Sequence, residues 1–394
     1  MERSLRLQTA AFAFIRTVVN TMHRMVYPFL PFFSRGLGVD LAALSLALTS
    51  RQVVGIFGPF LAILLESRGR KIGMLAGLSL FTAGVVSVVL WPSYPVFILA
   101  LILTTLGKYM FDPHMQGYLG DKVPYERRGL VLAITELGWS LAFIAGVPLM
   151  GFLISRGGWM SPFGLLSILG LVSILLIGKL IPSNHDDRVN WAQIWSNCLQ
   201  VFRHPPALTA LSIGLAISAA NEVINLVFGV WLEDTFGLQI MALGGAAAAI
   251  GLAELGGESL MGGITDRLGK ERSVGWGLAA NCLAAAIFPL LGRSLPGAVI
   301  ALFLFYITFE FTLVAIIPLM TEIMPAARVT LMAFNVAGLS LGRALGALAA
   351  SPLYRFGIGG SAVAAIVFNL VALLGLRQLW IRTRKEGPEK PASA

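Results

Sequence analysis

The sequence predicts an all-α integral membrane protein with twelve transmembrane helices in two pseudo-symmetric six-helix bundles. Three observations carry that expectation. The 394-residue chain is 57% hydrophobic and 12% charged, with mean hydropathy +0.81, whereas soluble domains carry about 25% charge. A soluble sphere could not hide that much apolar surface, so lipid must solvate it. The chain divides into twelve apolar runs separated by turn-like breaks. It also repeats itself: Gly262-Gly-Ile-Thr-Asp266-Arg267-Leu-Gly269-Lys270-Glu-Arg272 has a degraded copy 200 residues earlier, Ala62-Ile-Leu-Leu-Glu66-Ser-Arg68-Gly69-Arg70-Lys71. A basic turn repeated at half the chain length marks a duplicated unit.

A helix needs about 20 apolar residues to cross the hydrocarbon core. Matching runs to that length gives spans at roughly 8–33, 41–65, 72–91, 95–119, 128–154, 160–181, 207–233, 239–264, 273–292, 296–323, 329–356 and 360–382. Breaks such as Gly36-Leu-Gly38, Trp91-Pro-Ser-Tyr-Pro95, Arg156-Gly-Gly158, Gly292-Arg-Ser-Leu-Pro296 and Gly357-Ile-Gly-Gly360 are rich in the residues that turn a chain. The first run is interrupted by Arg16, His23 and Arg24 with no small-residue cleavage site after it, which reads as a retained span rather than a signal peptide. Within it Tyr27-Pro28-Phe29-Leu30-Pro31 should bend or loosen the helix. The duplication extends to Gly138 and Gly146, which recur as Gly338 and Gly346, and to Pro124-Tyr-Glu-Arg127, which recurs as Pro325-Ala-Ala-Arg328. The halves are therefore expected at 1–181 and 207–382, joined by a cytoplasmic linker at 182–206 and followed by a cytoplasmic tail at 383–394. In the linker, Trp191, Ile194, Trp195, Cys198, Leu199 and Phe202 fall at helical spacing, the pattern of an amphipathic helix lying on a membrane surface.

Charge fixes the expected orientation. With the N-terminus in the cytoplasm, only Arg35, Arg156, Arg293 and Arg355 fall in loops on the opposite side. The remaining loop Lys and Arg then lie inside, so both termini are cytoplasmic in a cell (inner) membrane. The net charge of +9 comes from these short loops, which argues against a nucleic-acid partner. Cys198 and Cys282 make no metal or disulfide spacing, and no cofactor or metal is expected.

Charges inside spans cost roughly 2.5–3.5 kcal/mol each on insertion scales and are rarely idle. In the first span Arg16, Asn20, His23 and Tyr27 fall within about 60° of one another at 100° per residue, one polar stripe, with Arg24 beside it. Lys108 and Asp112 of the fourth span are one helical turn apart and are placed to neutralise each other; His114 follows Pro113. Later spans add Glu136, Asn221, Glu222, Asn225, Tyr306, Glu310, Asn335 and Arg343. Glu254 and Glu258 share one helical face one turn apart, where both cannot easily hold charge, an arrangement suited to a proton carrier. The alternative is that each answers a base elsewhere, such as Arg51 or Arg343. Trp139, Tyr109, Phe111, Phe309 and Tyr306 should lie near these groups.

These motifs resemble those of the major facilitator superfamily, and more narrowly its twelve-helix drug–proton antiporter and sugar-efflux branch. The superfamily's loop between its second and third helices reads Gly-x-Leu-Ala-Asp-Arg-x-Gly-Arg-Lys. The 262–272 copy fits it, while the 62–71 copy has Ala62, Glu66 and Ser67 in place of Gly, Asp and Arg. Pro124–Arg128 fits the turn after the fourth helix. Gly138, Gly146-Val-Pro148 and Gly151 are similar to the Gly-rich motif of the antiporters, with Val147 intervening. The resemblance implies the major facilitator fold and a cytoplasmic gate. That gate would be built from Glu66, Gly69, Arg70 and Lys71 in one half and Gly262, Asp266, Arg267, Gly269 and Arg272 in the other.

The sequence reading is thus a secondary active transporter that works as a monomer on a small-molecule substrate and protons. It exports a small organic or amphipathic compound by alternating access, through a pathway drawn from Arg16, Asn20, His23, Arg24, Tyr27, Lys108, Asp112, Glu136, Asn221, Glu222, Glu254, Glu258, Glu310 and Arg343. An uptake symporter, a lipid flippase or a non-transporting receptor on the same fold are the alternatives. An enzyme is not expected: the chain has no His-x-x-x-His pair and no phosphate-binding loop, and its histidines are scattered.

Overall fold

The computed structural model describes residues 3–58, 60–61, 69–182, 191–324 and 327–386, and among them every regular element is helical. The first half holds α1 (Arg3–Met25), α2 (Leu30–Leu37), α3 (Leu41–Ile56), α4 (Arg70–Leu90), α5 (Tyr94–Lys122), α6 (Tyr125–Leu141), α7 (Val147–Gly157) and α8 (Ser161–Leu180). A π-turn at Ala142–Gly146 joins α6 to α7. The linker contains α9 (Trp191–Arg203). The second half holds α10 (Pro205–Asn225), α11 (Phe228–Phe236), α12 (Ile240–Leu268), α13 (Lys270–Ala286), α14 (Phe288–Leu291), α15 (Leu295–Ile323), α16 (Arg328–Tyr354) and α17 (Gly357–Glu386).

The repeat is visible in the backbone. Left-handed glycines recur in register: Gly38 and Gly237 (φ 65° and 64°), Gly69 and Gly269 (94° and 84°), Gly158 and Gly357 (77° and 69°). Helices α5 and α15 are each 29 residues long and each carries one internal proline, Pro113 and Pro318. At Gly69 and Gly269 the positive φ lets the chain reverse directly into α4 and α13, a conformation an L side chain would strain.

Among the described residues ten helices are long and apolar enough to cross a membrane, or eleven with the bent pair α2–α3, whose axes differ by 109°. The shortfall from the expected twelve is α1, whose Arg16, Asn20, His23 and Arg24 depress its hydropathy. Those residues are all buried, so α1 is shielded by its neighbours rather than by lipid. Burial sorts the spans. Of the most apolar window of Pro205–Phe236, 89% is buried; for α8 the share is 28% and for Gly357–Arg382 33%. The outer helices turn Ile168, Leu171, Leu175, Val363, Val367 and Leu374 outwards, as expected of a lipid-facing surface.

Tyr27-Pro28-Phe29 breaks α1 from α2, as the prolines predict. The equivalent break between α10 and α11, at Leu226-Val227, has no proline to announce it. There the Val227 N–H turns to the Ile224 carbonyl and ends the regular ladder. The two breaks touch: a methyl group at Gly229 would lie 2.6 Å from the Pro28 carbonyl oxygen and 2.7 Å from that of Tyr27. The halves also meet through α3 against α16 and α7 against α12. At the α2–α11 end, Arg35 and Glu233 form a 2.8 Å ion pair. Linker helix α9 packs on α10 and α16, with Cys198 and Val201 buried and Trp195 and Leu199 exposed. Phe202 meets the Phe334 ring at 5.0 Å.

The contact at Gly229 yields a prediction. Gly229→Ala forces a methyl group into backbone atoms and should cost about 1–3 kcal/mol, read as a lowered thermal-unfolding midpoint. Gly164→Ala, with nothing within 4 Å, should leave the midpoint unchanged or raise it. Equal effects of the two substitutions would contradict the contact.

Candidate functional site

The polar stripe of α1 lies against both halves and divides into two layers. In the central layer, Arg24 Nη2 lies 2.5 Å from Glu254 Oε1 of α12, with both side chains almost fully buried. Arg24 Nη1 donates to the Trp139 carbonyl at 3.1 Å. The guanidinium sits 3.5 Å from the Phe143 ring centroid and 4.2 Å from that of Trp139, so its faces are covered by aromatic rings as well as its edge by a carboxylate. This corrects the expected counterion: Glu254 answers Arg24, not Arg51 or Arg343.

The same layer crosses between halves a second time. Tyr27 Oη donates to Glu222 Oε1 of α10 at 2.8 Å and accepts from Arg51 Nη2 of α3 at 2.6 Å. Arg51 Nη1 donates to the His23 carbonyl at 2.9 Å. That carbonyl is available because the Tyr27 N–H, which would normally take it, bonds the Arg24 carbonyl where α1 ends. The proline-marked break thus creates the acceptor that holds a fully buried arginine. Asn225 Nδ2 donates to Glu222 Oε2 at 3.3 Å and Tyr306 Oη donates to Asn225 Oδ1 at 2.7 Å. Arg51, Gln52 and Phe143 were not among the sequence candidates. Arg51, a charge in the middle of an expected span, was the signal to follow.

The second layer, nearer the chain termini, belongs to the first half. Arg16 lies 3.3 Å from Asp112 and 2.5 Å from Glu136. Lys108 lies 2.6 Å from Asp112 and donates to Asn20 Oδ1 at 2.8 Å. The anticipated neutralisation of Lys108 by Asp112 is present and widened by Arg16. Gln116 donates to Glu136 at 3.2 Å.

A narrow cavity, about 30 Å³ by the space open to the centre of a water molecule, lies at the central layer. Of the sequence candidates, His23, Arg24, Tyr27, Asn221, Glu254, Glu310 and Arg343 line it, together with Trp139, Phe143, Asn225, Tyr306, Phe309 and Leu313. Arg16, Asn20, Lys108, Asp112 and Glu136 sit in the second layer instead. Glu222 stands one step behind the cavity wall through Tyr27 and Asn225. Glu258 is half-buried one turn along α12 from Glu254. No group of three or more His, Cys, Asp or Glu placed to hold a metal occurs among the described residues.

The gate motifs are only partly described. Glu66 and the side-chain positions of Gly262 and Asp266 lie outside the described residues. Lys71 donates to the Gly178 carbonyl at 2.8 Å. Arg70 meets Asp121 at 3.5 Å, and Lys270 meets Glu322. Arg70 and Lys270, Asp121 and Glu322 are repeat-related, so each half ties the start of its α4 or α13 to the end of its α5 or α15. Neither Asp121 nor Glu322 was among the sequence candidates. Arg267 and Arg272 are exposed. Gly338-Leu-Ser340-Leu-Gly342 spells the Gly-x-Ser-x-Gly of serine hydrolases, but it lies within α16, with Ser340 Oγ 3.0 Å from Tyr109 Oη. A hydrolase nucleophile needs a strand-to-helix turn and a nearby histidine base.

The profile of the Major Facilitator Superfamily matches residues 12–346 and again 211–394. The inner membrane transport protein YdhP of Escherichia coli is 26% identical over 362 residues, covering 91% of each chain. A chloramphenicol resistance protein of Streptomyces lividans is 24% identical over 256 residues, 63% of this chain and 64% of that one. The crystal structure of a bacterial homologue of the human lysosomal transporter Spinster, inward-facing and unoccupied, superposes with a TM-score of 0.78 at 16% identity over 100% of both chains.

The buried pair generates a prediction. Removing one partner strands the other charge in a low-dielectric interior, at a cost of about 3–5 kcal/mol. Arg24→Met and Glu254→Met should each lower the thermal-unfolding midpoint sharply, and the double variant should recover part of the loss. Additive losses in the double variant would show that the two side chains are not coupled.

Proposed function

The chain belongs to the Major Facilitator Superfamily, and on that footing we propose a proton-coupled exporter of a small organic compound working by alternating access. That it is a membrane transport protein rather than an enzyme follows from the family. Proton coupling and outward direction are our reading. The observation that carries it is the central layer, where charged and polar side chains of opposite halves meet around a cavity, Arg24 with Glu254 and Tyr27 with Glu222. Rocking of the halves must break and remake these bridges, so whatever changes their charge changes the balance of states. The chloramphenicol resistance relative supports the export of an organic molecule.

Glu258 is the acid we assign to the proton. Glu254 is held by Arg24 and Glu222 by Tyr27 and Asn225. Glu136 is bound to Arg16. Glu258, half-buried, forms no ion pair or hydrogen bond among the described residues and stands one helical turn from Glu254. Ionised, it competes with Glu254 for Arg24; protonated, it leaves that bridge intact. A gradient supplies about 2.3 kcal/mol per charge per 100 mV to such a cycle. The Lys/Arg asymmetry supports placing the α2–α11 end outside and both termini in the cytoplasm. We divide the chain into bundles at 1–181 and 207–382 around the 182–206 linker, with Asp266 and its neighbours as the cytoplasmic gate.

The test is transport in liposomes. Purified protein should move substrate faster, and accumulate more of it, under an imposed pH gradient than without one. In Glu258→Gln the ratio of the two rates should fall to about one. A wild-type rate and extent indifferent to the gradient would end the coupling proposal, and an intact gradient response in Glu258→Gln would move the proton to another acid.

A further inference from the structure

Throughout the interior this protein answers its buried charges. Arg16, Arg24, Arg51, Lys108, Asp112 and Glu222 each have a partner within hydrogen-bonding or ion-pairing distance. The central cavity departs from that pattern. Glu310 is 5% exposed and lines the cavity, yet makes no hydrogen bond or ion pair among the described residues. Arg343 also lines it and has none. Two further polar atoms, Asn221 Nδ2 and Glu254 Oε2, are buried without a partner. Both of those side chains line the same cavity, with residue exposures of 6% and 2%. Single orphaned atoms also occur elsewhere in the interior, Asn20 Nδ2, Gln52 Oε1 and Asn335 Oδ1 among them. What sets this cavity apart is a carboxylate and a guanidinium, Glu310 and Arg343, that both line it without an ion pair or hydrogen bond among the described residues, an arrangement suited to a ligand site.

The unsatisfied groups are sorted by wall. A methyl group at Gly257 would lie 3.0 Å from the Glu310 Cβ, so α12 and α15 run in close contact and bring Glu254 and Glu310 to one side. A methyl group at Gly346 would lie 2.7 Å from the Glu222 Cβ, so α16 lies along α10 and brings Arg343 and Asn221 to the other. One wall presents the carboxylates of Glu254 and Glu310, with Arg24 on Glu254, and the other presents the N–H donors of Arg343 and Asn221. Tyr306 and Phe309, on α15 with Glu310, add apolar surface to the lining.

We propose that this cavity binds a small zwitterion, its cationic group on Glu310 and Glu254 and its anionic group on Arg343 and Asn221. The assignment rests on the transport reading and names the substrate class of that site. A cation alone would leave the guanidinium unanswered in a low-dielectric cavity, and an anion alone would leave the carboxylate so; each omission costs binding. The planar guanidinium suits a carboxylate, which it holds through two parallel N–H···O bonds. The cavity in this arrangement of the halves is about 30 Å³, so the halves must part to admit an apolar body against the Tyr306 and Phe309 rings.

The test uses the full-length protein in lipid nanodiscs at neutral pH and four compounds on one scaffold. These are phenylalanine (zwitterion), phenylalanine amide (cation), N-acetylphenylalanine (anion) and N-acetylphenylalanine amide (neutral), with affinity read by isothermal titration calorimetry. Phenylalanine should bind about ten- to a hundredfold more tightly than the other three, the range expected for a lost charge-assisted hydrogen bond. Glu310→Gln should erase the advantage of the zwitterion over the anion, and Arg343→Gln its advantage over the cation. Should either variant fail to fold, Glu310→Asp and Arg343→Lys should keep the ranking of the four compounds and weaken the zwitterion several-fold. The proposal is overturned if a singly charged or neutral compound binds as well as phenylalanine. It is equally overturned if both variants keep the wild-type ranking, or if none of the four binds at millimolar concentration. Zwitterion preference in a protein whose flux ignores a pH gradient would support this site while contradicting the proton coupling.

Discussion

A charged side chain in an apolar interior must find a partner, and in this protein the decisive partners come from the opposite half. The stripe on α1 could not sit against lipid: Arg16, Asn20, His23 and Arg24 are all buried. Arg24 reaches across to Glu254 and Tyr27 across to Glu222. Those two bridges fix where α1 lies between the bundles. The rest of the centre follows from them. The break after Met25 turns Tyr27 towards α10, frees the His23 carbonyl for Arg51, and lays Pro28 against Gly229. The cavity is the space these bridges leave.

The duplicated plan was legible in the sequence because it is written in residues with few substitutes. A glycine at positive φ and a basic turn at a helix start recur 200 residues apart at Gly69 and Gly269, and the fold places both at the same point of each half. The α1 stripe was legible because four polar side chains at 3- and 4-residue spacing share one helix face. Partners were much harder to read. Glu254 lies 230 residues from Arg24, and no local pattern links them. The break between α10 and α11 has no proline, since a shifted hydrogen bond and a close glycine suffice there. Asp121 and Glu322 escaped notice because each looks like an ordinary loop acid until its repeat-related base is placed beside it. Hydropathy, conversely, undercounts α1, whose polar stripe is buried against its neighbours.

The two polar layers divide the work. The layer of Arg16, Lys108, Asp112 and Glu136 stays within the first half and stiffens α1 against α5 and α6. The central layer spans both halves, so of the two layers it is the one that the proposed rocking would have to break and remake. Breaking a buried ion pair is costly unless another group takes over the stranded charge. Glu258, one turn from Glu254, is placed to do so, and the aromatic rings around Arg24 keep its guanidinium covered meanwhile. The exposed Arg35–Glu233 pair at the α2–α11 end contributes little beside this, since surface pairs are worth about 0–1 kcal/mol.

The claim that the buried bridge sets the arrangement of the halves is tested most directly by a distance. Spin labels at Ala42 and Thr235, both exposed near the α2–α11 end, report the separation of the halves in lipid nanodiscs by pulsed electron resonance. The account predicts a short distance dominating in the otherwise native protein, and a second, longer population in Glu254→Gln. An identical single distribution in both proteins would contradict it.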